Sequence, residues 1–259
     1  MVDVSVIGCG HMGSALVRGL ARTDKHRITA CDVDEQALEA VSEYCDVTTT
    51  DLATAAEADV VFVVVKPDLT ADIVDDLDLS ADQTLVSIAA GVPTSMLEPL
   101  TDARIVRVMP NLAAATGDMA AAVSGEVGDD VAELLDDAGL FVEIDEAQMD
   151  VSTAVNGSGP AFVFYLIKAM TQAGVDSGLD PDDAERLAAQ TFKGAAETVL
   201  RADESLDELI EAVCSPKGTT IEGMKVLRDS TTDEAVAEAV FAAEERSKEL
   251  ARDPDDDDE

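Results

Sequence analysis

The sequence has few basic residues and no long hydrophobic run, and each absence excludes a class of protein. Lysine and arginine number 17 against 55 aspartates and glutamates, which gives the 259-residue chain a formal net charge of −38. Such a surface repels nucleic acid and anionic lipid, so we expect neither as a partner. The longest apolar runs, at 60–65 and 161–167, fall far short of the roughly 20 residues that cross a bilayer. We therefore expect no membrane segment.

Histidine and cysteine are scarce as well. His11 and His26 are the two histidines, so neither a histidine-based metal centre nor a Ser-His-Asp triad is expected. His11 could serve at most as a lone ligand. The four cysteines form no CxxC pair, which argues against a zinc knuckle or a thioredoxin-like motif. We expect buried thiols and no bound metal.

The acidic residues are spread along the whole chain, and only the end forms a continuous run. A dispersed excess is typical of a solvated surface. At this density it favours a salt-rich cytoplasm, where screening removes the self-repulsion; an unrecognised basic partner is the alternative. The N-terminus lacks the basic stretch and apolar segment of a signal peptide, so we expect a cytoplasmic protein. Residues 253–259 are predicted to form an acidic disordered tail.

The first half of the chain alternates between strand and helix patterns. Helical spacing marks residues 14–21, and Asp34 is a candidate N-cap for a helix over 34–44. Short apolar runs predict strands at 2–7, 27–31, 60–65, 84–89, 104–108, 120–124 and 141–144. This alternation predicts a Rossmann-like, doubly wound α/β domain over residues 1–149.

After about residue 150 the strand patterns disappear and only helices are predicted. Pro160 begins a long helix that ends at Gly178, and Asp180 begins a second that reaches about residue 200. Residues 205–208 have capping-box spacing, and a last helix runs over 232–252. The helix from Pro160 is apolar nearly all round and must be covered on most sides. We therefore predict an all-helical domain over 150–252 that packs against a second subunit.

A glycine-rich motif, GCGHMG at residues 8–13, joins the first predicted strand to the first helix. In dinucleotide-binding folds the first glycine makes the turn, the second admits the pyrophosphate and the third allows close helix–strand packing. The phosphates then meet the helix N-terminus. A plain glycine-rich turn is the alternative.

Asp32 ends the second predicted strand, 24 residues after Gly8. An acid at that place accepts the hydroxyls of the adenosine ribose and repels a 2′-phosphate, which favours NAD over NADP. In so acidic a chain, an ordinary surface aspartate is the alternative.

Other motifs stand at strand ends or before helices. Lys66 and Pro67 end the third long strand, at the edge where open α/β sheets bind ligands; a lysine extending its charge into solvent is the alternative. Small residues at 88–91 would let a nicotinamide lie against the backbone. The segment SPKGTT at 215–220 precedes a helix, and its N–H groups could hold a carboxylate. A threonine of this segment could instead simply cap the helix.

Together these segments resemble the Δ1-pyrroline-5-carboxylate reductase family, which catalyses the last step of proline synthesis. The matching segments are GCGHMGSALVRGL, VKP, SIAAGV, RVMPN, NGSGPAF and SPKGTT, in this order, over about residues 3–245. SPxGTT and GSGPA are the specific parts, since GxGxxG matches many dehydrogenases. The family's fold is a Rossmann domain followed by a helical dimerisation domain, which agrees with the pattern above.

The resemblance implies reduction of a cyclic imine, 1-pyrroline-5-carboxylate, to L-proline with NADPH or NADH, in a homodimer or an oligomer of dimers. The cofactor residues, including Asp32 from the motif above, would be Ile7, Gly8, Cys9, Gly10, His11, Met12, Gly13, Asp32, Asp51, Val64, Val65, Lys66, Pro67, Ile88, Ala89 and Ala90. The substrate residues would be Ser215, Gly218, Thr219, Thr220 and, more weakly, Asp203. The hydroxyl of Thr220 would be the catalytic group, placed at the imine nitrogen.

Three departures from the family pattern stand out. Lys217 replaces the usual glycine of SPGGTT, and Leu112-Ala113 replaces a frequent Thr-Pro. Asp51 stands where the family often has an asparagine near the adenosine; with Asp32 it makes that pocket acidic, so the choice between NADH and NADPH stays open.

Two other functions compete with imine reduction. A β-hydroxyacid dehydrogenase has a similar two-domain plan but needs a lysine in a G-x-x-x-K-x-x-N setting, which Lys168 does not meet. A non-catalytic NAD-binding sensor is the alternative of a different class.

Overall fold

The computed structural model describes residues 1–252. The acidic tail predicted at 253–259 lies outside the described residues. Among the helices of the described part, none is both long and apolar enough to span a membrane.

An eight-stranded sheet forms the centre of the first half of the chain, in the order β3-β2-β1-β4-β5-β6-β7-β8. All neighbours pair in parallel except β6 and β7, which are antiparallel. The order of the first six strands is that of the Rossmann fold, so the predicted doubly wound sheet is confirmed. The strands are β1 Asp3–Ile7, β2 Arg27–Cys31, β3 Val47–Thr49, β4 Val60–Val63, β5 Thr84–Ser87, β6 Arg104–Met109, β7 Met119–Gly125 and β8 Gly139–Glu143.

Two hydrophobic clusters cover the two faces of this sheet. Val60 and Phe62 of β4 belong to one cluster, whereas Val61 and Val63 belong to the other, because successive side chains of a strand point to opposite faces. A strand that is buried on both faces needs apolar residues throughout, which explains its unbroken run. The helices that accompany the sheet are α1 His11–Ala21, α2 Glu35–Glu39, α3 Leu52–Ala55, α4 Pro67–Asp76, α5 Thr94–Leu97, α6 Asp129–Ala138 and α7 Met149–Ser152.

Several element boundaries differ from the prediction; β5, for example, ends at Ser87 instead of residue 89. β4 ends at Val63 instead of residue 65, and Pro67 begins α4, where proline is favoured in the first helical turn. The three-residue strand β3 was missed because its pattern is too short. The helix expected over 34–44 ends at Glu39, and a 3₁₀ turn, Ser42–Tyr44, follows it.

The helices of the second half begin close to the predicted residues: α8 begins at Gly159 instead of Pro160, and α11 begins at Thr219 instead of about Ile221. Gly178 has a left-handed φ of 101° just after α8, and the Asp180 side chain accepts the Asp182 N–H at 3.0 Å at the start of α9. The capping box of Ser205 and Glu208 is formed at α10. These helices are α8 Gly159–Asp176, α9 Pro181–Arg201, α10 Leu206–Val213, α11 Thr219–Arg228 and α12 Thr232–Arg252.

Contacts divide the described chain into two units, one of Met1–Ser158 with the chain from Val240 and one of Gly159–Ala239. The predicted limits placed both 150–158 and 240–252 in the helical domain. By contacts these segments group instead with the residues of the sheet. The Asn156 amide donates to the carbonyls of Met109 in β6 and Ala120 in β7, and the hydroxyl of the buried Ser247 in turn donates to the Asp150 carboxylate of α7 at 2.7 Å.

The unit Gly159–Ala239 buries almost no side chains by itself. Only Ala184 and Ala188 are fully buried among these residues, all of which the structure describes. Large apolar side chains stay open instead, including Tyr165 at 73% and Leu200 at 68% exposure. So many exposed large apolar side chains in one unit are typical of a surface that another chain covers.

Candidate active site

The carboxyl ends of the central parallel strands meet at one edge of the sheet. The register aligns Cys31, Ile7, Val63 and Ser87, the last residues of β2, β1, β4 and β5. The backbone bonds continue one step further: Gly8 N–H donates to Cys31 C=O and Val64 N–H to Ile7 C=O, both at 2.8 Å. The edge therefore brings together the predicted cofactor segments at 7–13, 32, 51, 64–67 and 88–90.

The three motif glycines face different surroundings. Gly8 has a φ of 96°, and a Cβ there would lie 2.5 Å from the Val64 carbonyl oxygen. A Cβ on Gly13 would overlap the Gly8 carbonyl oxygen, whereas a Cβ on Gly10 would meet nothing within 4 Å. The first and third glycines are thus required by the fold, and the second borders open space where a ligand can approach the backbone.

Helix α1 begins directly after Gly10, and no side chain caps its first amides. Its first turn contains no acidic residue, although α2, α4 and α6 each have at least one there. Free N–H groups and the positive end of the helix dipole both favour a bound anion. These features fit the pyrophosphate of a dinucleotide.

The carboxylate of Asp32 connects the glycine loop to the end of β2. It accepts the Cys9 N–H at 2.6 Å and the Asp34 N–H at 2.9 Å. Asp51 lies at the same edge, since Asp32 N–H bonds the Thr49 carbonyl at 3.2 Å. Asp51 caps α3, accepting the Ala53 N–H at 3.3 Å. Both acids are therefore held in place by backbone donors.

The Cys9 thiol, within the glycine motif, is unreactive. Burial, with the negative charge of Asp32, raises the pKa of Cys9 to about 12. The same two causes raise the pKa of Cys31 to about 11. Cys9 and Cys31 are buried, as expected, whereas Cys45 and Cys214 are partly exposed. Neutral buried thiols at this edge are not nucleophiles.

The other cofactor segments end their strands in different ways. Ile88 and Ala89 are buried and Ala90 is half-buried, and the chain then turns at Gly91 with a φ of 75°. Lys66 is exposed at the start of α4, and its ammonium forms no ion pair within residues 1–252. It is a cation without an ion-pair partner in that part of the chain, at the edge where the ribose or nicotinamide of the cofactor is expected.

In the helical unit, the predicted substrate segment forms a tight turn before α11. Gly218 N–H donates to the Ser215 carbonyl at 2.9 Å, and a Cβ on Gly218 would overlap the Ser215 hydroxyl. Gly218 itself is the N-cap, without a side-chain cap, so neither Thr219 nor Thr220 caps the helix. The turn leaves the first amides of α11 without a side-chain cap. It also brings together Ser215, Gly218, Thr219 and Thr220, four of the five predicted substrate residues. Asp203 is exposed on the separate connection between α9 and α10.

Comparison with known proteins identifies the family. Residues 146–250 match the family model described as pyrroline-5-carboxylate reductase dimerisation, and residues 3–91 match the model NADP oxidoreductase coenzyme F420-dependent. The chain is 36% identical over 264 residues to the pyrroline-5-carboxylate reductase of Methanosarcina acetivorans, spanning 96% of this chain and 98% of that one. It is 38% identical over 263 residues to that of Pseudomonas aeruginosa, spanning 96% of each.

The chain belongs to the pyrroline-5-carboxylate reductase family. The resemblance found in the sequence is thus confirmed, and the chain is an oxidoreductase with a Rossmann-like domain followed by a helical one. The fold agrees with the crystal structure of Plasmodium falciparum pyrroline carboxylate reductase with NADP bound. That structure has a TM-score of 0.84 at 27% identity, and the match covers 96% of this chain and 98% of that one.

The structure accounts for two departures from the reductase pattern. Lys217 has a left-handed φ of 63°, which explains why a glycine suits this position; the lysine costs roughly 1 kcal/mol in backbone strain. Leu112 and Ala113 lie in a 3₁₀ turn that Asn111 caps by accepting the Ala113 N–H at 3.2 Å.

Two polar groups near the sheet were missed in the sequence. Asn156, in a π-helical turn over Thr153–Gly157, donates from its amide to the carbonyls of Met109 at 2.6 Å and Ala120 at 2.9 Å. It lies in the quoted segment NGSGPAF, so that motif was a usable signal. Glu146, which bonds Thr94 and Arg107, carries no signal in a chain with 55 acids.

One group of side chains has the spacing of metal ligands. Atoms of His26, Glu133 and Asp137 lie within 4.8 Å of one another. The Lys25 ammonium contacts both Asp137 carboxylate oxygens, at 2.7 and 3.1 Å. A cationic group thus already balances Asp137, and the group is interpreted as an ion-pair cluster between the start of β2 and α6.

Proposed function

We propose that this chain reduces the carbon–nitrogen double bond of 1-pyrroline-5-carboxylate, giving L-proline, with NADH or NADPH as the hydride donor. The supporting observation is that reductases of this name match nearly the whole chain. The matched family models span the glycine loop and the SPKGTT turn. The Plasmodium relative with NADP bound supports a nicotinamide cofactor.

The cofactor would be held at the carboxyl edge of the sheet. The amides at the start of α1 would bind the pyrophosphate, and Asp32 and Asp51 would face the adenosine ribose. Lys66 would lie near a ribose or the nicotinamide. Residues 88–90 would support the nicotinamide ring. When bound, the reduced nicotinamide supplies a hydride.

The substrate would be held at the turn before α11. The Gly218 N–H already donates to the Ser215 carbonyl, so the backbone amides of Thr219 and Thr220 would bind its carboxylate. The Thr220 hydroxyl would bond the imine nitrogen. A protonated imine carbon is already a strong electrophile, so the protein's role is alignment and electrostatics, with no strong general acid. The absence of a suitable histidine in the sequence is consistent with that role.

Removal of the Thr220 hydroxyl tests this assignment. Thr220→Ala should lower kcat/KM for the imine about 10-fold or more, because a lost hydrogen bond at a reacting centre costs roughly 1–3 kcal/mol. Thr220→Ser keeps a hydroxyl and should retain most activity. The assay is the rate of NADH oxidation with and without the cyclic imine. A rate that does not depend on the imine would contradict the proposed reaction. Wild-type rates in Thr220→Ala would remove Thr220 from it.

Asp32 should influence the choice of nucleotide. Asp32→Ser removes a negative charge beside the expected ribose 2′ position, so the ratio of kcat/KM for NADPH to that for NADH should rise. Asp34→Ser is the matched control, because Asp34 caps α2 through the Gln36 N–H and serine keeps that capping ability. If both variants give the wild-type ratio, Asp32 does not select the nucleotide.

We also propose that the active form is a homodimer formed through the helical unit, possible higher oligomers being built from such dimers. The support is the exposed apolar surface of residues 159–239 and the family model of dimerisation over 146–250. A second copy would cover side chains that one chain leaves open.

The proposed location is a salt-rich cytoplasm. The support is the net charge of −38 spread over the chain, which needs dissolved salt to screen it. A basic partner is the alternative source of counter-charge.

A further inference from the structure

A carboxylate from a distant part of the chain clamps the start of α5. Glu146 accepts the Thr94 N–H at 2.8 Å through one oxygen and the Thr94 hydroxyl at 2.7 Å through the other. The two residues are 52 positions apart in the sequence. Both oxygens of one carboxylate thus fix one residue, which defines its position more narrowly than a single bond would.

Arg107 of β6 adds a third member to this clamp. Its guanidinium is 3.3 Å from Glu146, and the residue is only 5% exposed. Glu146 is its one ion-pair partner within residues 1–252, where Arg107 Nε has no hydrogen-bond partner. Burial opposes ionisation of Glu146, but Thr94 and Arg107 outweigh it and lower its pKa below the usual value. The carboxylate is therefore charged at neutral pH.

The clamp fixes the far end of the segment at 88–93, between β5 and α5. The near end is fixed by the Ile88 N–H, which donates to the Val63 carbonyl at 3.2 Å. Between these anchors the chain turns at Gly91. The segment crosses the carboxyl edge of the sheet, and the buried side chains of Ala89 and Val92 pack it against the core. The Glu146 carboxylate is the polar side chain that holds its far end.

We propose that Glu146 is a positioning residue for hydride transfer, its carboxylate holding Thr94 so that residues 88–90 present a fixed surface to the nicotinamide. This inference rests on the proposed function for the cofactor edge. Nothing in it requires Glu146 to touch cofactor or substrate.

Glu146→Gln tests the proposal. Glutamine keeps one acceptor oxygen but loses the second and the charge, so Kd for NADH should rise about 10-fold, while KM for the imine changes little. Glu98→Gln is the matched control. Glu98 lines a cavity of about 230 Å³ together with Thr94 and Glu146. It is exposed and forms no ion pair within the described chain. Its Kd should equal that of the wild type.

A second pair of variants covers the case in which Glu146→Gln folds poorly because Arg107 loses its charge partner. Thr94→Val removes the hydroxyl and leaves the ion pair, and should raise Kd for NADH about 3-fold. Thr94→Ser should restore the wild-type Kd. Combined with Glu146→Gln, Thr94→Val should have no further effect, because both changes break the same contact.

Binding is measured by NADH fluorescence without imine, so it is independent of whether the imine is the substrate. Unchanged Kd in both Glu146→Gln and Thr94→Val would overturn the positioning role. A lower melting temperature with unchanged Kd would overturn it too, and would make the clamp purely structural. If the wild type binds NADH but does not reduce the imine, the proposed reaction is overturned instead.

Discussion

Gly10→Ala should weaken NADH binding about 10-fold or more, equivalent to at least 1.4 kcal/mol, while leaving the melting temperature unchanged. A Cβ on Gly10 meets no protein atom within 4 Å, so folding is unaffected. The added methyl group would occupy the space through which a pyrophosphate approaches the loop.

Gly13→Ala should give the opposite result, because its Cβ would overlap the Gly8 carbonyl oxygen. The added Cβ would push α1 away from the glycine loop. This should lower the free energy of unfolding by roughly 3 kcal/mol and the melting temperature by several degrees. Gly194→Ala, in the middle of α9 with open space around it, is the control for the substitution itself. Thermal unfolding and an NADH fluorescence titration measure both effects.

The two substitutions distinguish an effect on NADH binding from an effect on folding. Unchanged NADH affinity in Gly10→Ala would mean that the pyrophosphate does not lie on the loop, and the proposed cofactor edge would fail. A Gly13→Ala variant with the wild-type melting temperature would show that α1 can shift without cost.

Low salt should dissociate or unfold the protein. At −38, the compact fold concentrates charge that the unfolded chain spreads out. The screening length is roughly 30 Å at about 0.01 M salt, so most like charges repel, but only about 3 Å at about 1 M. Molar KCl or NaCl should therefore raise the melting temperature and the activity.

The homodimer is tested in the same high salt. Light scattering should show a molecular mass of at least twice 27.1 kDa.

The salt effect should follow ionic strength, so KCl and NaCl should agree at equal concentration, and a neutral osmolyte should not substitute for them near 0.01 M. A flat melting temperature between about 0.05 and 2 M salt would contradict the salt-adapted interpretation and favour a basic partner. An active monomer in high salt would contradict the dimer.

Local rules in the sequence predicted much of the fold. The β-branched runs gave the strands of the central sheet, since a strand covered on both faces needs apolar residues throughout. Gly178, Asp180 and Ser205 marked helix ends because capping depends on a residue and its near neighbours. The direction of β7 also had a local signal: the link at 110–118 is too short for a parallel crossover.

Contacts between distant residues could not be read in the same way. Glu146 is one acid among many, and its bonds to Thr94 and Arg107 join positions 52 and 39 residues away. The bond of Ser247 to Asp150 spans 97 residues and joins the end of α12 to α7.

The sequence by itself determined the order of strands and helices, the glycine loop and the family. Those features depend on side-chain type, short-range geometry and motif spacing. Only the tertiary structure decided that Asp32 holds the Cys9 N–H, that Gly10 faces open space while Gly13 does not, and which acid clamps Thr94. The physical reason is that a carboxylate finds its partner through the packing of whole elements, and in a chain with 55 acids composition cannot single out which one does.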